Sequence, residues 1–376
     1  MNIKSLLIGS AAALVAVSGA RAADAVVVAE PEPVEYVRVC DAYGAGFFYI
    51  PGTETCLKIS GYVRYDAAGG DNVYSGGNVG ADGEETWYKR TRAEVRFDAR
   101  SETELGTLRS YIQGRFQFTN GDDNGGSLPQ AWIELGGFRI GVADELFGSW
   151  TNYAGNIIND DVINYQSGTT NQVSYTFTGG NGFSAIIAAE QGQDGTGNFG
   201  FDYVIEDYLP HVLAGVKFEQ GWGGISGVVG YDSNAEDVAA KLRLDVKVTD
   251  TISLFVMGGY QSDYDEPTFG IDADGDGFVA GGSQNWFGLW EGDWAAWAGF
   301  SAKLTEKATL NGQGAYESEG TYAFALNVAY ELVPGFVITP EINYTKFDGV
   351  RRDLAEFNSG GDDDAFGGII RFQRNF

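Results

Sequence analysis

From Leu57 onward the chain alternates apolar and polar residues in segments of about ten, separated by turn-forming residues. A period of two is the pattern of a strand with one dry and one wet face. It is clearest where Trp87, Thr91, Ala93, Val95, Phe97 and Ala99 share one face while Arg90, Arg92, Glu94, Arg96, Asp98 and Arg100 share the other. Leu57 to Asp66 sets Leu57, Ile59, Gly61, Val63 and Tyr65 against Lys58, Ser60, Tyr62, Arg64 and Asp66. Leu108 to Phe118 carries Arg109, Gln113, Arg115 and Gln117 on its polar face, and Tyr322, Phe324, Leu326, Val328 and Tyr330 repeat the apolar phase. Such segments start near 57, 87, 107, 130, 138, 171, 183, 211, 224, 237, 251, 293, 307, 321, 336 and 365, which predicts sixteen strands.

Alternation alone fits a soluble sandwich as well as a membrane barrel. Three features favour the barrel. Short turns (Gly136-Gly137, Gly179 to Gly182, Gln220 to Gly223, Val333 to Gly335) alternate with long, acidic, glycine-rich loops, the asymmetry of barrels with short periplasmic turns and long external loops. Aromatic residues gather near strand ends, at Trp87, Trp132, Trp294, Tyr316 and Tyr344, as interfacial girdles do. The last strand ends on Phe376, with Phe372, Ile370 and Phe366 in the same phase, which looks like the sorting signal of barrel-assembly machinery. An even strand count brings both ends to the periplasm, and sixteen strands leave a wet lumen.

The N-terminus adds an export tag: Lys4, an apolar run from Leu6 to Val17, and the small-x-small site Ala20-Arg21-Ala22. That run is too short to span a bilayer as a helix, and nothing downstream resembles a second one. Residues 1–22 are therefore expected to be a signal peptide, 23–56 a periplasmic or barrel-mouth segment, and 57–376 the barrel. Cys40 and Cys56, the only cysteines, would meet an oxidising periplasm and are expected to form a disulfide. The 55 glycines, 8 prolines and 14% aromatic content fit one large β architecture. A mean hydropathy of −0.16 is compatible with a spanning barrel, half of whose strand residues face water. Loss of Lys4 and Arg21 takes the formal charge from −28 to −30, which argues against nucleic acid as a partner. Acidic loops suit solubility and cation bridging to anionic lipid.

Several runs are similar to a known family. Val34 to Asp66 (VEYVRVCDAYGAGFFYIPGTETCLKISGYVRYD) resembles the start of the general porins of alphaproteobacteria. Ser101 to Leu108, Asn159 to Ile163, Ser174 to Ala185, Ala329 to Phe336 and the closing GGIIRFQRNF resemble them too. The resemblance runs from the signal peptide to the last residue. It implies an all-β, transmembrane antiparallel β-barrel of sixteen strands, assembled as a homotrimer in the outer membrane among lipid and lipopolysaccharide. It further implies passive passage of ions and small hydrophilic solutes, and a third external loop folded into the lumen as a constriction.

The loop after the fifth strand, Asp144 to Gly168, carries Asp144, Glu145, Asp160 and Asp161. Facing it, the polar phases of the first three strands present Arg64, Arg90, Arg92, Arg96, Arg109 and Arg115, with Lys58 and Arg139 nearby. Acids opposite arginines across a narrow waist would set up a transverse field. Asp272, Asp274 and Asp276 match half of an EF-hand loop, but position twelve is Ser283 rather than glutamate, so a solvated loop tip is the better expectation. Gly195 to Gly200 fits GxGxxG in letters only, and nothing in the sequence asks for a cofactor. His211, the only histidine, has no nucleophile motif to serve. A selective sugar or anion channel on the same barrel is the alternative. An outer-membrane enzyme lacks its catalytic set, and a receptor lacks a plug domain. The acidic Pro-Glu segment before Cys40 could touch peptidoglycan.

Overall fold

The computed structural model describes residues 38–74, 86–195, 201–271, 278–281, 284–359 and 362–376. The expected signal peptide 1–22, the stretch 23–37, the acidic string Asp272 to Gly277 and residues 196–200 of the glycine run lie outside them.

Sixteen strands form the wall. The first eight are β1 Cys56–Gly70, β2 Tyr88–Thr103, β3 Gly106–Thr119, β4 Asp122–Leu135, β5 Phe138–Asp144, β6 Thr169–Gly180, β7 Phe183–Glu190 and β8 His211–Gln220. The rest are β9 Gly223–Tyr231, β10 Val238–Lys247, β11 Ile252–Gln261, β12 Trp294–Lys303, β13 Ala308–Glu317, β14 Tyr322–Val333, β15 Phe336–Lys346 and β16 Asp364–Asn375. Each pairs antiparallel with its successor, and β16 pairs back with β1, from Gly367↔Gly70 to Asn375↔Tyr62. Gly61 and Phe376 then exchange both backbone hydrogen bonds, at 2.9 and 3.0 Å, so the C-terminal residue completes the seam. Among the described residues no helix is long and apolar enough to cross a membrane.

The alternating phases land as the sequence predicts. Ile59, Phe97, Ile112, Leu242, Phe324 and Ile342 are exposed on the outer face, whereas their neighbours Glu94, Asp98, Gln113, Arg243, Ala325 and Glu341 are buried within. A wall with this much outward apolar surface suits hydrocarbon rather than water. Strand starts agree with the sequence pattern to within two residues, except for β4. It begins at Asp122 instead of near 130, because Asp122 to Leu128 pairs with β3 through an irregular register while showing no burial alternation. Polar, glycine-rich sequence reads as loop when no face of it is buried.

One end of the barrel has turns of two to four residues and the other has most of the long connections. At the short-turn end a disulfide joins Cys40 to Cys56, both buried with Phe47. Tyr43 donates to Glu102 at 2.7 Å, and the Arg100 guanidinium lies 5.0 Å from the Phe47 ring. The stretch ahead of β1 therefore packs against inward-facing strand residues at that mouth.

The lumen is divided. Ile186, Leu213, Val228, Ala239, Phe255, Met257, Trp297 and Ala315 point inward from β7 to β13 and pack with Phe147, Trp150, Trp286, Phe287 and Trp290 from two loops. This half of the interior thus holds an apolar cluster, with His211, Lys241 and Arg243 buried beside it. The other half, along β16 and β1 to β5, is lined by charge.

The turn between β6 and β7 needs a backbone that only glycine adopts easily. Gly182 has φ +81°, and a Cβ there would lie 1.9 Å from the Glu219 carbonyl oxygen. Gly182→Val should cost about 1–3 kcal/mol. The expected outcome is a lower temperature for loss of the compact, heat-modifiable band on SDS gels; an unchanged temperature would contradict the close approach.

Candidate functional site

After β5 the chain leaves the wall at Asp144 and rejoins it at Thr169. Its first turn is α1, Leu146–Trp150, an apolar stub whose buried Leu146, Phe147 and Trp150 join the apolar cluster. Glu145 caps it, accepting from Gly148 N at 2.7 Å and Ser167 N at 3.2 Å, so one carboxylate ties both stems of the loop. Burial pushes the Glu145 carboxyl up, against the pull of Lys241. Glu190, at the end of β7, accepts from Leu146 N at 2.8 Å and Trp286 Nε1 at 2.9 Å.

The rest of the loop crosses the lumen and is stitched to the far wall. Arg243 Nη1 donates to the Tyr153 carbonyl at 2.9 Å, Asn156 Nδ2 to Ser301 Oγ at 3.0 Å, Asn327 Nδ2 to the Asn156 carbonyl at 2.9 Å, and Trp297 Nε1 to the Ile163 carbonyl at 3.0 Å. Lys241 Nζ donates to the Tyr165 carbonyl. The tightest clamp is Glu341 on β15, 3% exposed, which accepts from Ile158 N (2.5 Å), Asn159 N (2.9 Å), Asn159 Nδ2 (3.0 Å) and Asn327 Nδ2 (2.9 Å). Two consecutive loop N–H groups satisfied by one buried carboxylate fix the loop tip.

Opposite the tip stands the arginine wall. Asp66, fully buried, bridges Arg90 (2.6 Å) and Arg371 (2.7 Å). Glu94 bridges Arg96 and Arg115, and Asp98 bridges Arg100 (2.7 Å) and Arg109 (2.8 Å). Each bridging acid answers two guanidinium groups, so every such trio keeps one net positive charge. Tyr62 supports the row, donating to Glu94 at 3.2 Å while the Arg64 guanidinium lies 4.6 Å from its ring.

A cavity of about 490 Å³ separates wall from loop, with Arg64, Arg90, Arg92 and Arg371 on one side and Asn159, Asp160 and Asp161 on the other. Asp161 accepts from the Tyr74 hydroxyl and Asp160 from that of Tyr165, at 2.5 Å for the latter. Burial, and then the adjacent Asp161, push Asp160 up to about 7.

Of the residues singled out in the sequence, Arg64, Arg90, Arg92, Asp160 and Asp161 meet at this cavity. Arg96, Arg109 and Arg115 lie outside its lining, on the same inward face next to Glu94 and Asp98. Asp144 stands apart, accepting from Gln130 Nε2 at 3.0 Å and Tyr153 OH at 2.6 Å. Glu145, 1% exposed, caps α1 and lies outside the lining of this cavity. Trp132 is a further correction: it is not in an outer girdle but 7% exposed on the inner face, stacked on Tyr111 with the Arg109 and Arg139 guanidiniums 4.7 and 4.3 Å from its ring. Ile133 and Leu135 take the outward phase and leave Trp132 the inward one. His211 is fully buried, bonded through Nε2 to the Tyr203 carbonyl at 2.8 Å, with Asp232 at 3.1 Å from Nδ1. Glu341 and Arg371 were missed, although the inward phase of Thr339, Glu341 and Asn343 and of Arg371 and Gln373 is readable by alternation.

Glu341→Ala would orphan two loop N–H groups, each at a cost of about 1–3 kcal/mol. Open-channel current noise in a planar bilayer is expected to rise, with added sub-levels; currents as quiet as those of the unmodified chain would contradict the clamp.

Comparisons with known proteins bear on the family and the fold. A family model described as "Porin subfamily" matches residues 24–369. The chain is similar to Porin Omp2a of Brucella melitensis, 50% identical over 397 residues, and to Porin Omp2b of Brucella suis, 50% identical over 389 residues, each covering 100% of both chains. Among solved structures it resembles a mutant Rh. blastica porin, with a TM-score of 0.57 at 12% identity, covering 85% of this chain and 100% of that one. It also resembles a chain titled "Anion-selective porin from Comamonas acidovorans", with a TM-score of 0.50 at 13% identity, covering 86% of this chain and 100% of that one. These structural likenesses bear on the fold. With a family match across nearly its whole length and full-length relatives at half identity, the chain belongs to this porin subfamily and is a β-barrel channel of the outer membrane.

Proposed function

We propose that the chain is a general diffusion porin in which ions and small hydrophilic solutes pass between the tip of the β5–β6 loop and the arginine wall. The observation that carries this reading is the cavity with Arg64, Arg90 and Arg92 on one side and Asp160 and Asp161 on the other. Opposite charges across a gap walled by protein make a transverse field that aligns dipolar solutes and disfavours apolar ones of equal size. Arg96, Arg109 and Arg115 extend the positive side beyond the waist.

A sugar-selective channel would need bare aromatic faces along the path. The faces of Trp132 are taken up by Tyr111 and two guanidiniums, which favours the general pore. Assembly as a homotrimer, lipid and lipopolysaccharide around the outer wall, and peptidoglycan at the segment before Cys40 complete the proposal. Residues 1–22 are removed as a signal peptide in this account.

Single-channel recording of the purified protein in a planar bilayer tests it. Stepwise ohmic currents, unaffected by millimolar sugars, are expected; block by one sugar at micromolar levels would favour the selective channel.

The charge on the loop side should vary with pH. Asp160, pushed up to about 7, is uncharged below that value and adds a negative charge above it, in the company of Asp161, Tyr74, Tyr165 and Glu341. Permeability to potassium over chloride, read from reversal potentials, should therefore rise between about pH 6 and 8, and Asp160→Asn should flatten the rise. A slope unaltered in that variant would remove Asp160 from the waist.

A further inference from the structure

The arginine wall contains one level that differs from all the others. Arg64 on β1 and Arg92 on β2 are direct register partners, Gln373 on β16 stands opposite Arg64, and Gln117 on β3 stands opposite Arg92. Four side chains thus form a row around the wall: Gln373, Arg64, Arg92, Gln117. Arg64 Nε donates to Gln373 Oε1 at 2.8 Å and Arg92 Nε to Gln117 Oε1 at 2.5 Å, so each glutamine holds one arginine from the outer flank of the row.

Every other arginine of β1, β2 and β3 is salt-bridged to Asp66, Glu94 or Asp98. Among the described residues no carboxylate lies within 4.0 Å of Arg64 or Arg92. Like charges directly opposite each other on paired strands repel, and both are partly withdrawn from water on the lining of the cavity that faces the loop. The same wall shows what two neighbouring guanidiniums bind: one oxyanion between them, as Asp66, Glu94 and Asp98 each do.

We propose that Arg64 and Arg92 form an oxyanion station on the solute path, which takes the phosphate or carboxylate group of a passing solute where the other arginine pairs take a carboxylate of the protein. It rests on the diffusion-pore reading above. Guanidinium forks bind such groups bidentately, and a pair carrying two positive charges is matched best by a dianion. Asp160 and Asp161 across the cavity repel the same group, so occupancy is brief and passage continues. Substitution of either glutamine by glutamate would supply the missing carboxylate and turn this level into a copy of the others.

The test is single-channel recording in potassium chloride at about pH 8, where inorganic phosphate is mainly a dianion, with phosphate or acetate added at matched ionic strength. Phosphate is expected to interrupt the current of the unmodified chain at millimolar levels, and acetate more weakly. Arg92→Gln should raise the half-effective phosphate concentration about tenfold. Gln117→Glu, which keeps the arginine and adds its partner, should do the same and guards against a folding defect in the first variant. Normal chloride steps with no response to phosphate or acetate would overturn the station and leave the pore standing, as would an undiminished response in Gln117→Glu. Absence of chloride steps from the folded, unmodified chain would instead overturn the pore reading itself, and the station with it.

Discussion

A strand in hydrocarbon has no water to satisfy its free edge, so the pairing of β16 with β1 is the interaction on which the rest of the structure depends. Once that seam closes, every strand has two neighbours, and the period of two sorts residues into a lipid face and a lumen face. The acidic, glycine-rich character of the chain then ceases to be an obstacle to membrane insertion. Its polar residues are inside or in the loops, and the apolar phase alone meets the bilayer.

Closure also creates an interior that must be filled or wetted, and this barrel does both. From β7 to β13 the inward residues include an apolar cluster that meets the stem of the β5–β6 loop and the Trp286–Trp290 segment, with Lys241 and Arg243 buried beside it. From β16 to β5 they include the arginines and acids of the charged wall, several of which line the cavity beside the loop tip. The apolar cluster gives the loop a floor; Glu341, Asn327, Lys241 and Arg243 fix its course across the lumen. The loop can then hold carboxyl groups opposite a row of arginines, a placement that mutual attraction alone would collapse into direct ion pairs.

Most of the wall was legible in the sequence because alternation is a local property. Phase alone turned Arg64, Arg90 and Arg92 inward, and the same rule applied to β15 and β16 points Glu341 and Arg371 inward as well. Phase stops informing once the chain leaves the ladder. Of the adjacent acids Asp144 and Glu145, one bonds to Gln130 and Tyr153 and the other is buried as a helix cap, and nothing in the local pattern separates them. Asp122 to Leu128 misled in the other direction, being strand without a buried face. The inward fold of the β11–β12 loop had one signal, an apolar run from Trp286 to Trp290 inside an otherwise polar connection. The pairing of Arg64 with Arg92 without a carboxylate is a matter of register between strands, which alternation within each strand does not specify.

The central claim is that the β5–β6 loop bounds the conducting path opposite the arginine wall. It is tested most directly by introducing Asp161→Cys and recording one open channel while a positively charged methanethiosulfonate reagent is added. Asp161 is exposed on the cavity side, so modification of the introduced thiol should lower conductance in a discrete step and shift selectivity toward anions. Full labelling of that thiol with conductance and reversal potential unchanged would show that ions pass elsewhere, and would contradict the account.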